Sequence, residues 1–215
     1  MDSSIEYHLN ELRIVRDKSD PRRSLPELEP EENKILDVGC GIGQSLLADE
    51  ISGAELRCGV DVDDEAIAYG KVHFPELDLR VANAEKLPFQ SNFFDFVFSR
   101  VALPYTNLPL ALSEIYRVLR PGARVWALMH PWRVEKDRLI RSLQTGSVRA
   151  VIDSAYVCLN SVSVNVLCTS FARPWSGRHE SFQTVAGARR LLENAGFRLS
   201  VHDGDSGLRV LGTKP

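Results

Sequence analysis

The sequence predicts an α/β fold in which a mostly parallel sheet carries helices on both faces. Short apolar segments alternate with segments of helical periodicity along most of the chain, which is the pattern of parallel strands joined by crossover helices. The first apolar segment, residues 35–38, leads directly into glycines at alternate positions. A strand that passes through such a turn into a helix is typical of α/β folds that bind nucleotides or cofactors.

Length and composition fit one domain of an ordinary soluble type. The chain has 215 residues, of which 44% are hydrophobic and 26% are charged. A formal net charge of -3 provides no basic surface, so we do not expect a nucleic-acid partner. No apolar run approaches the roughly 20 residues that cross a bilayer, and the N-terminus lacks the features of a signal peptide. We therefore expect a cytoplasmic protein without a membrane partner.

The N-terminal part of the chain is predicted to be a helix followed by an irregular connection. Ile5, Leu9 and Leu12 recur at helical spacing within residues 4–16. Residues 17–34 contain three prolines among many charges and cannot form a regular element.

The remaining elements follow from the hydrophobic pattern. Seven strands are predicted at residues 35–38, 56–61, 77–81, 93–99, 124–129, 197–201 and 208–211. Helices are predicted at residues 45–51, 64–73, 108–119, 134–144 and 181–195. The last two strands are expected to form a hairpin, which makes the final strand antiparallel. Residues 162–168 alternate between apolar and polar and predict a further, half-exposed strand.

The glycine turn after the first strand indicates what it binds. Gly39 and Gly41 fit the dinucleotide-binding pattern, but its third glycine position is occupied by Gln44. Asp37 precedes the turn by two residues. A carboxylate at this strand end suits a ligand with a cationic ammonium group and would repel a pyrophosphate. Glycines allow the ligand to approach the backbone and permit a tight turn with positive φ.

Asp37-x-Gly39-x-Gly41-x-Gly43 resembles motif I of the class I S-adenosylmethionine (SAM) dependent methyltransferases. Three further segments resemble the family in the same order: Asp61 at the end of the second strand, residues 82–89 after the third, and the helix stop of residues 117–122. The resemblance covers roughly residues 35–130 and, more loosely, 181–213, and it is to small-molecule enzymes similar to those of quinone biosynthesis. It implies a Rossmann-like sheet of seven strands.

The resemblance also implies an arrangement of the chain. Residues 1–215 would form a single methyltransferase domain. Within it, residues 1–34 are the N-terminal helix and connection, 35–130 the SAM-binding core, 131–180 a substrate-recognition insertion, and 181–215 the C-terminal helix and hairpin. A leading helix often covers the cofactor in small members of the family, so Tyr7 and His8 are candidates for such a cover, but a helix that only packs against the core is the favoured interpretation.

Cofactor residues are expected along the carboxyl edge of the first three strands. Asp61 lies 20 residues after Gly41, near the offset at which a carboxylate reaches a ribose diol. Asn83 replaces the Asp that contacts the adenine amino group in the family, so this contact would lose its charge. Asp63 and Asp64 are expected to cap the next helix. The implied SAM-binding residues are Asp37, Gly39, Cys40, Gly41, Gly43, Gln44, Asp61, Val62, Asn83, Ala84, Glu85 and Ser99.

Candidate catalytic and substrate residues follow the fourth and fifth strands. His130 is the first candidate for a general base and Tyr105 the second. The same edge and the insertion supply candidates for contacts with a planar or anionic substrate, namely Arg100, Tyr105, Trp132, Arg173, Trp175 and His179. The cysteines and histidines show no metal-ligand spacing, so no metal is expected.

The predicted reaction is in-line transfer of the sulfonium methyl group to an oxygen, nitrogen or carbon nucleophile of a small molecule, with S-adenosylhomocysteine as product. The segment after the fourth strand contains neither an Asn-Pro-Pro-Tyr-like motif nor a Pro-Cys pair, which argues against methylation of nucleic-acid bases or of glutamine. Two alternatives stay open: an RNA or protein methyltransferase, and a SAM-binding partner subunit without catalytic activity. The acceptor and the oligomeric state are not predicted.

Overall fold

The computed structural model describes residues 3–144, 147–204 and 207–215. Its strands form one sheet in the order β3-β2-β1-β4-β5-β7-β6. The strands are β1 Lys34–Val38, β2 Leu56–Asp61, β3 Asp78–Val81, β4 Phe94–Arg100, β5 Leu119–Met129, β6 Arg198–Gly204 and β7 Gly207–Thr213. Strands β1 to β5 pair in parallel, and β7 runs antiparallel to both β5 and β6. This confirms the predicted Rossmann-like, seven-stranded sheet with one antiparallel strand.

Six α-helices belong to the described residues: α1 Ser3–Arg16, α2 Asp64–His73, α3 Leu108–Val118, α4 Trp132–Gln144, α5 Val148–Val162 and α6 Val185–Asn194. Two short 3₁₀ helices lie at Gln44–Leu47 and Leu103–Tyr105, and a π turn at Ser163–Leu167 extends α5. The predicted N-terminal helix and the helix at 64–73 are present at the expected positions.

Both faces of the sheet are covered by apolar layers. Alternate residues of β1 point to opposite faces, so Ile35 belongs to one cluster and Leu36 to the other. The first cluster includes Ile67 of α2, whereas the second includes Ile115 of α3 and Leu191 of α6. Burial on both faces explains why the central strands read as nearly continuous apolar runs.

Two predicted elements are wrong. The predicted helix at 45–51 shortens to the 3₁₀ helix Gln44–Leu47, and the Ser52 hydroxyl then donates to the Asp49 carbonyl at 3.1 Å in a turn. The predicted strand at 162–168 is instead the end of α5 and the π turn. Within the π turn, the adjacent residues Val164 and Asn165 are both buried, which the alternating sides of a strand would not allow.

The continuous helix Val148–Leu167 has 20 residues and is long and apolar enough to cross a membrane by length and composition. This corrects the expectation that no segment approaches that length. In the structure, 39% of the helix's apolar 18-residue window is buried inside the protein, and core helices of soluble proteins meet the same criteria. The helix is therefore weak evidence for a membrane segment.

Candidate cofactor and active site

Two connected cavities open at the carboxyl edge of the parallel strands, which is where ligands bind in open α/β sheets. The large cavity has a volume of about 670 Å³ and the small cavity about 340 Å³. Both are lined by Gly39, Asp61, Ala102 and Tyr105, so a single extended ligand can contact both cavities.

The glycine turn forms the wall between β1 and these cavities. Gly39 has φ 82° and Gly41 has φ 54°, backbone conformations that side chains disfavour. A Cβ atom on Gly39 would lie 2.0 Å from the Cβ of Ala102. One on Gly41 would lie 2.3 Å from the ring of His8. The Ala102 Cβ, which is fixed to the backbone, therefore requires glycine at position 39, whereas at position 41 the positive φ is the main reason for glycine because the His8 ring can move.

Asp37 lies at the end of β1 and is 1% exposed. Among the described residues, its Oδ1 has no hydrogen-bond partner. Burial raises the pKa of Asp37 to about 8, the charge of Arg100 lowers it, and the charge of Asp61 raises it. A buried carboxyl oxygen without a partner is destabilising unless a ligand satisfies it. Asp37 is absent from the described walls of the two cavities, whereas Gly39, two residues later, lines both. The unpartnered Asp37 oxygen can accept from a cationic donor, such as an ammonium group, only where a ligand reaches past the glycine turn.

Asp61 is held in one orientation at the junction of the two cavities. Its Oδ2 accepts from the Gly41 N–H at 2.8 Å and its Oδ1 accepts from the Asp63 N–H at 3.0 Å. Each carboxylate oxygen retains a further lone pair that can accept from a ligand hydroxyl. As expected, Asp63 caps α2, accepting from the Ala66 N–H at 3.0 Å, and Asp64 begins the helix.

The far end of the small cavity is lined by Val62, Asn83, Ala84 and Glu85. The Asn83 Oδ1 accepts from the Glu85 N–H at 2.9 Å, which fixes the amide beside the cavity. The Glu85 carboxylate accepts from the Asn107 N–H at 2.7 Å, just before α3. Glu85 therefore stabilises the start of α3 through this hydrogen bond and also lines the cavity.

Several predicted cofactor residues support the site from outside the cavity walls. The Ser99 hydroxyl donates to the Val38 carbonyl at 2.7 Å, and Cys40 is buried in the apolar core. Gly43 begins the 3₁₀ helix with φ 88°. Gln44 does line the large cavity, where its side-chain oxygen accepts from the Ile42 N–H at 3.1 Å.

Helix α1 borders the large cavity, which both Tyr7 and His8 line, and it also packs on the core through Ile5 and Leu12. Glu11 of the same helix also lines the cavity and forms an ion pair with Arg100 at 2.5 Å. The Ser4 hydroxyl donates to Asp63 at 2.5 Å and ties the start of α1 to the α2 cap. Glu11 was not among the predicted site residues, because a lone acidic residue on an amphipathic helix gives no signal of what it will contact.

Tyr105 and His130 are brought together between the cavities. The Tyr105 hydroxyl lies 3.0 Å from the His130 Nε2, and the two rings meet edge to face. Both residues line the large cavity and a side cavity of about 220 Å³, and Tyr105 also lines the small cavity. Burial lowers the pKa of His130, so the imidazole is neutral near pH 7.

The predicted substrate residues of the insertion have other positions. Arg173 pairs with Glu180 at 2.7 Å and stacks over the Tyr156 ring at 4.9 Å, so it serves the packing of the insertion. Trp175 contacts the same ring at its edge. Among the described wall residues of the three cavities, neither Arg173 nor Trp175 is present. The cations of a loop sequence do not reveal that a half-buried carboxylate, Glu180, will neutralise Arg173.

The other two candidates from this region have different outcomes. His179 lines the small cavity beside Asn83, on the side expected for the cofactor, and its Nδ1 lies 2.7 Å from the Ser170 hydroxyl. Trp132 begins α4, and its side chain lies outside the described residues.

A strained turn at the end of β4 was also missed. Val101 has φ 68°, a conformation that is rare for β-branched residues, and its N–H donates to the Leu128 carbonyl at 3.0 Å. The turn brings Ala102 against Gly39. Because β-branched residues disfavour positive φ, a valine at this position gives no sequence signal for a left-handed turn.

No group of three or more His, Cys, Asp or Glu side chains that could hold a metal ion occurs in the described part of the chain.

Comparison with known proteins gives the same family. A model of a methyltransferase domain matches residues 36–127. A demethylmenaquinone methyltransferase of Chlorobaculum tepidum is 31% identical over 192 residues, covering 88% of this chain and 74% of that protein. One of Symbiobacterium thermophilum is 36% identical over 99 residues, covering 42% of this chain and 39% of that protein. The chain therefore spans less than half the length of this second relative.

Solved structures agree on the fold. The PH0226 protein from Pyrococcus horikoshii superposes with a TM-score of 0.61 at 15% identity, covering 100% of this chain and 92% of that one. With the extensive match to the Chlorobaculum protein and the ordered motifs at the sheet edge, these findings show that the chain belongs to the class I SAM-dependent methyltransferases, a family of Rossmann-like enzymes whose methyl donor is SAM.

Proposed function

We propose that this chain transfers the methyl group of SAM to an oxygen, nitrogen or carbon nucleophile of a small molecule. The observation that carries the proposal is the hydrogen-bonded pair of Tyr105 and His130 beside the two connected cavities. A proton-accepting pair at this place can serve an acceptor that must lose a proton as it is methylated.

The residues present fit SAM as the ligand of the two cavities. When bound, SAM supplies an electrophilic methyl group on a sulfonium sulfur. Asp37 would attract its ammonium group, and Asp61 would accept from the ribose hydroxyls. Asn83 with the backbone of Ala84 would hold the adenine in the small cavity.

Proton transfer is assigned to the two aromatic side chains. A neutral His130 with an unprotonated Nε2 accepts a hydrogen bond from the Tyr105 hydroxyl. The Tyr105 oxygen can then accept a proton from the acceptor while its own proton moves to His130. General base catalysis of this kind contributes typically about 10²–10⁴-fold to a rate.

Two features favour a small, partly apolar acceptor such as a quinone precursor. The wall of the large cavity beside His130 includes Leu128, Met129 and Pro131. Both relatives compared above are named demethylmenaquinone methyltransferases. The net charge of -3 gives no support to an RNA acceptor.

The proposal is tested by measuring S-adenosylhomocysteine formation from SAM with a panel of hydroxylated aromatic and quinone precursors. We expect turnover with at least one, and a loss of about 10²-fold or more in kcat for Tyr105→Phe and His130→Gln. Affinity for S-adenosylhomocysteine, measured by calorimetry, should change little in either variant, which separates a catalytic defect from misfolding. Binding without turnover on this panel and on RNA and protein acceptors would contradict the proposal and favour the inactive partner subunit.

A further inference from the structure

The side cavity shares part of its wall with the large cavity. Tyr105 and His130 line both, and the Tyr105 hydroxyl lies 3.0 Å from the His130 Nε2. The side cavity has a volume of about 220 Å³, which equals the liquid volume of about seven water molecules. A molecule whose nucleophile lies at the Tyr105 hydroxyl can therefore extend a group of this size into the side cavity.

Other parts of this wall combine apolar surface with positive charge. Val157 and Phe182 are buried apolar residues that line the side cavity. Arg138 and Arg141 lie three residues apart on α4, which places them on the same side of that helix, and both line the cavity. A guanidinium group offers its N–H donors in a planar fork that matches a carboxylate. These walls therefore suit a group with an apolar stem and an anionic end.

Glu180 is the one acidic residue among the described wall residues of the side cavity, and it is already neutralised. One oxygen of its carboxylate pairs with Arg138, and the other accepts from Arg173 at 2.7 Å. Arg173 also pairs with Asp153 at 3.7 Å. Two arginines and two carboxylates thus balance one another in this cluster, so neither carboxylate is left to neutralise a further cation.

Arg141 adds a positive charge that this cluster does not balance. Its Nε donates to the Asp137 carbonyl at 3.2 Å, and within the described part of the chain no carboxylate pairs with its guanidinium. Asp137 itself is not among the described wall residues. Ser181 is a further polar wall group, and its hydroxyl accepts from the Gln183 side-chain nitrogen at 2.8 Å, which leaves the hydroxyl proton for a ligand oxygen. One net positive charge and an additional donor fit a monoanion.

The charges of the side cavity lie close to the pair of Tyr105 and His130. Burial lowers the pKa of His130, the charge of Glu180 raises it, and the charge of Arg138 lowers it. Both charged groups are therefore near enough to act on the imidazole. An anionic group beside the arginines and a nucleophile at the Tyr105 hydroxyl can consequently belong to one small molecule.

We propose that the side cavity binds a carboxylate of the methyl acceptor through Arg138 and Arg141, so that the acceptor is a small hydroxylated acid. This inference rests on the proposed function. In the transfer, the acceptor hydroxyl oxygen bonds to the methyl carbon as the carbon–sulfur bond breaks. The electron pair of that bond stays on sulfur, and the hydroxyl proton passes to the Tyr105 oxygen. A phosphate monoester carries about 1.5 to 2 negative charges at pH 7, more than the single net charge of the wall.

The test compares meta- and para-hydroxybenzoate with the corresponding hydroxybenzamides, which have the same shape without the charge. We expect kcat/KM to be at least about 10-fold higher for an acid than for its amide, mainly through a lower KM, because hydrogen bonds to charged groups are the stronger ones. Arg141→Gln should remove this preference. Arg189→Gln is the matched control and should keep it, since Arg189 is an exposed arginine of α6 outside the described walls of the three cavities. Equal thermal melting shows that both variants fold.

A charge reversal sharpens the test. Arg141→Glu should favour para-(aminomethyl)phenol over the acids, because the wall then carries a net negative charge. Equal use of acids and amides, an acid preference that survives Arg141→Gln, or a preference for para-hydroxyphenyl phosphate over the acids would overturn the inference. Turnover of the amides alone would also overturn it but leave the proposed function standing. If no acceptor is turned over, which contradicts the proposed function, calorimetry decides: binding of the acids that Arg141→Gln weakens supports the carboxylate site, and its absence overturns it.

Discussion

Arg100 and Glu11 form an ion pair of 2.5 Å that joins the end of β4 to helix α1. Their side chains are 10% and 18% exposed, and both line the large cavity. The Arg100 charge also lowers the pKa of Asp37. The Arg100 guanidinium is therefore close enough to Asp37 to influence its charge, at the place where the amino-acid tail of SAM is expected. Without a ligand, the ion-pair partner of Arg100 is Glu11.

The first prediction concerns this ion pair. Arg100→Gln should weaken S-adenosylhomocysteine binding by about 10-fold or more, because charged hydrogen bonds to a ligand carboxylate contribute roughly 1.5–3 kcal/mol. Glu11→Gln should strengthen binding, since it removes the carboxylate that competes for Arg100. The matched ligand is 5′-methylthioadenosine, which lacks the amino-acid tail and should bind both variants like the parent chain. Calorimetry measures all of these affinities, and an equal loss for both ligands in Arg100→Gln would refute the assignment.

The second prediction concerns pH and Asp37. Because its pKa is raised to about 8, Asp37 is mostly protonated at pH 7 and must ionise when it receives an ammonium group. Affinity for S-adenosylhomocysteine should therefore rise with pH by up to about 10-fold per unit below pH 8, with uptake of the released proton by the buffer. Calorimetry in two buffers of different ionisation enthalpy detects this proton. Asp37→Asn should bind more weakly and show a flat profile, and a flat profile in the parent chain would exclude this role.

The third prediction separates the nucleoside from the amino-acid tail. Asp61→Asn should weaken S-adenosylhomocysteine and 5′-methylthioadenosine to a similar extent, about 10-fold or more, because both share the ribose that Asp61 is expected to hold. Asp64→Asn is the control, since Asp64 is an exposed residue of the first turn of α2 and is absent from the described walls of both cavities. Unchanged affinity in Asp61→Asn would show that the ribose binds elsewhere.

Sequence patterns predicted the parts of the site that depend on chain order. Asp37 and Asp61 lie in the last two residues of β1 and β2, and Gly39 directly follows β1. Parallel pairing of β1 with β2 brings these strand ends to one edge of the sheet. Their positions were therefore expected before any contact was known. The contacts of Asp61 with the Gly41 and Asp63 N–H groups are local consequences of the same order.

Contacts between distant parts of the chain were not predictable in this way. The Arg100–Glu11 pair joins residues 89 positions apart, and neither side chain carries a pattern that names the other. Arg173 was placed on the substrate side because cations in an insertion loop suggest ligand contacts, but Glu180 neutralises it. The wrongly predicted strand at 162–168 has a local cause instead: its alternating pattern was interpreted as a strand. Its period of two is real, yet the π turn allows the adjacent Val164 and Asn165 to face inward together.

The last prediction concerns the packing of Gly39 against Ala102. A Cβ on Gly39 would lie 2.0 Å from the Ala102 Cβ, and φ at Gly39 is 82°. Gly39→Ala should therefore destabilise the fold through two separate effects, overpacking of about 1–3 kcal/mol and left-handed backbone strain of about 1–2 kcal/mol. It should also weaken binding of S-adenosylhomocysteine, because Gly39 and Ala102 line both cavities.

The double variant G39A/A102G distinguishes the two effects. Removing the Ala102 methyl relieves the clash but leaves the backbone strain, so urea denaturation should show partial recovery of the free energy of unfolding. Ala102→Gly alone is the control for the flexibility that the second glycine adds. Full recovery in the double variant would mean that the left-handed conformation is not strained by a side chain here. If there is no recovery, the contact between Gly39 and Ala102 does not limit the approach of β1 to the turn after β4.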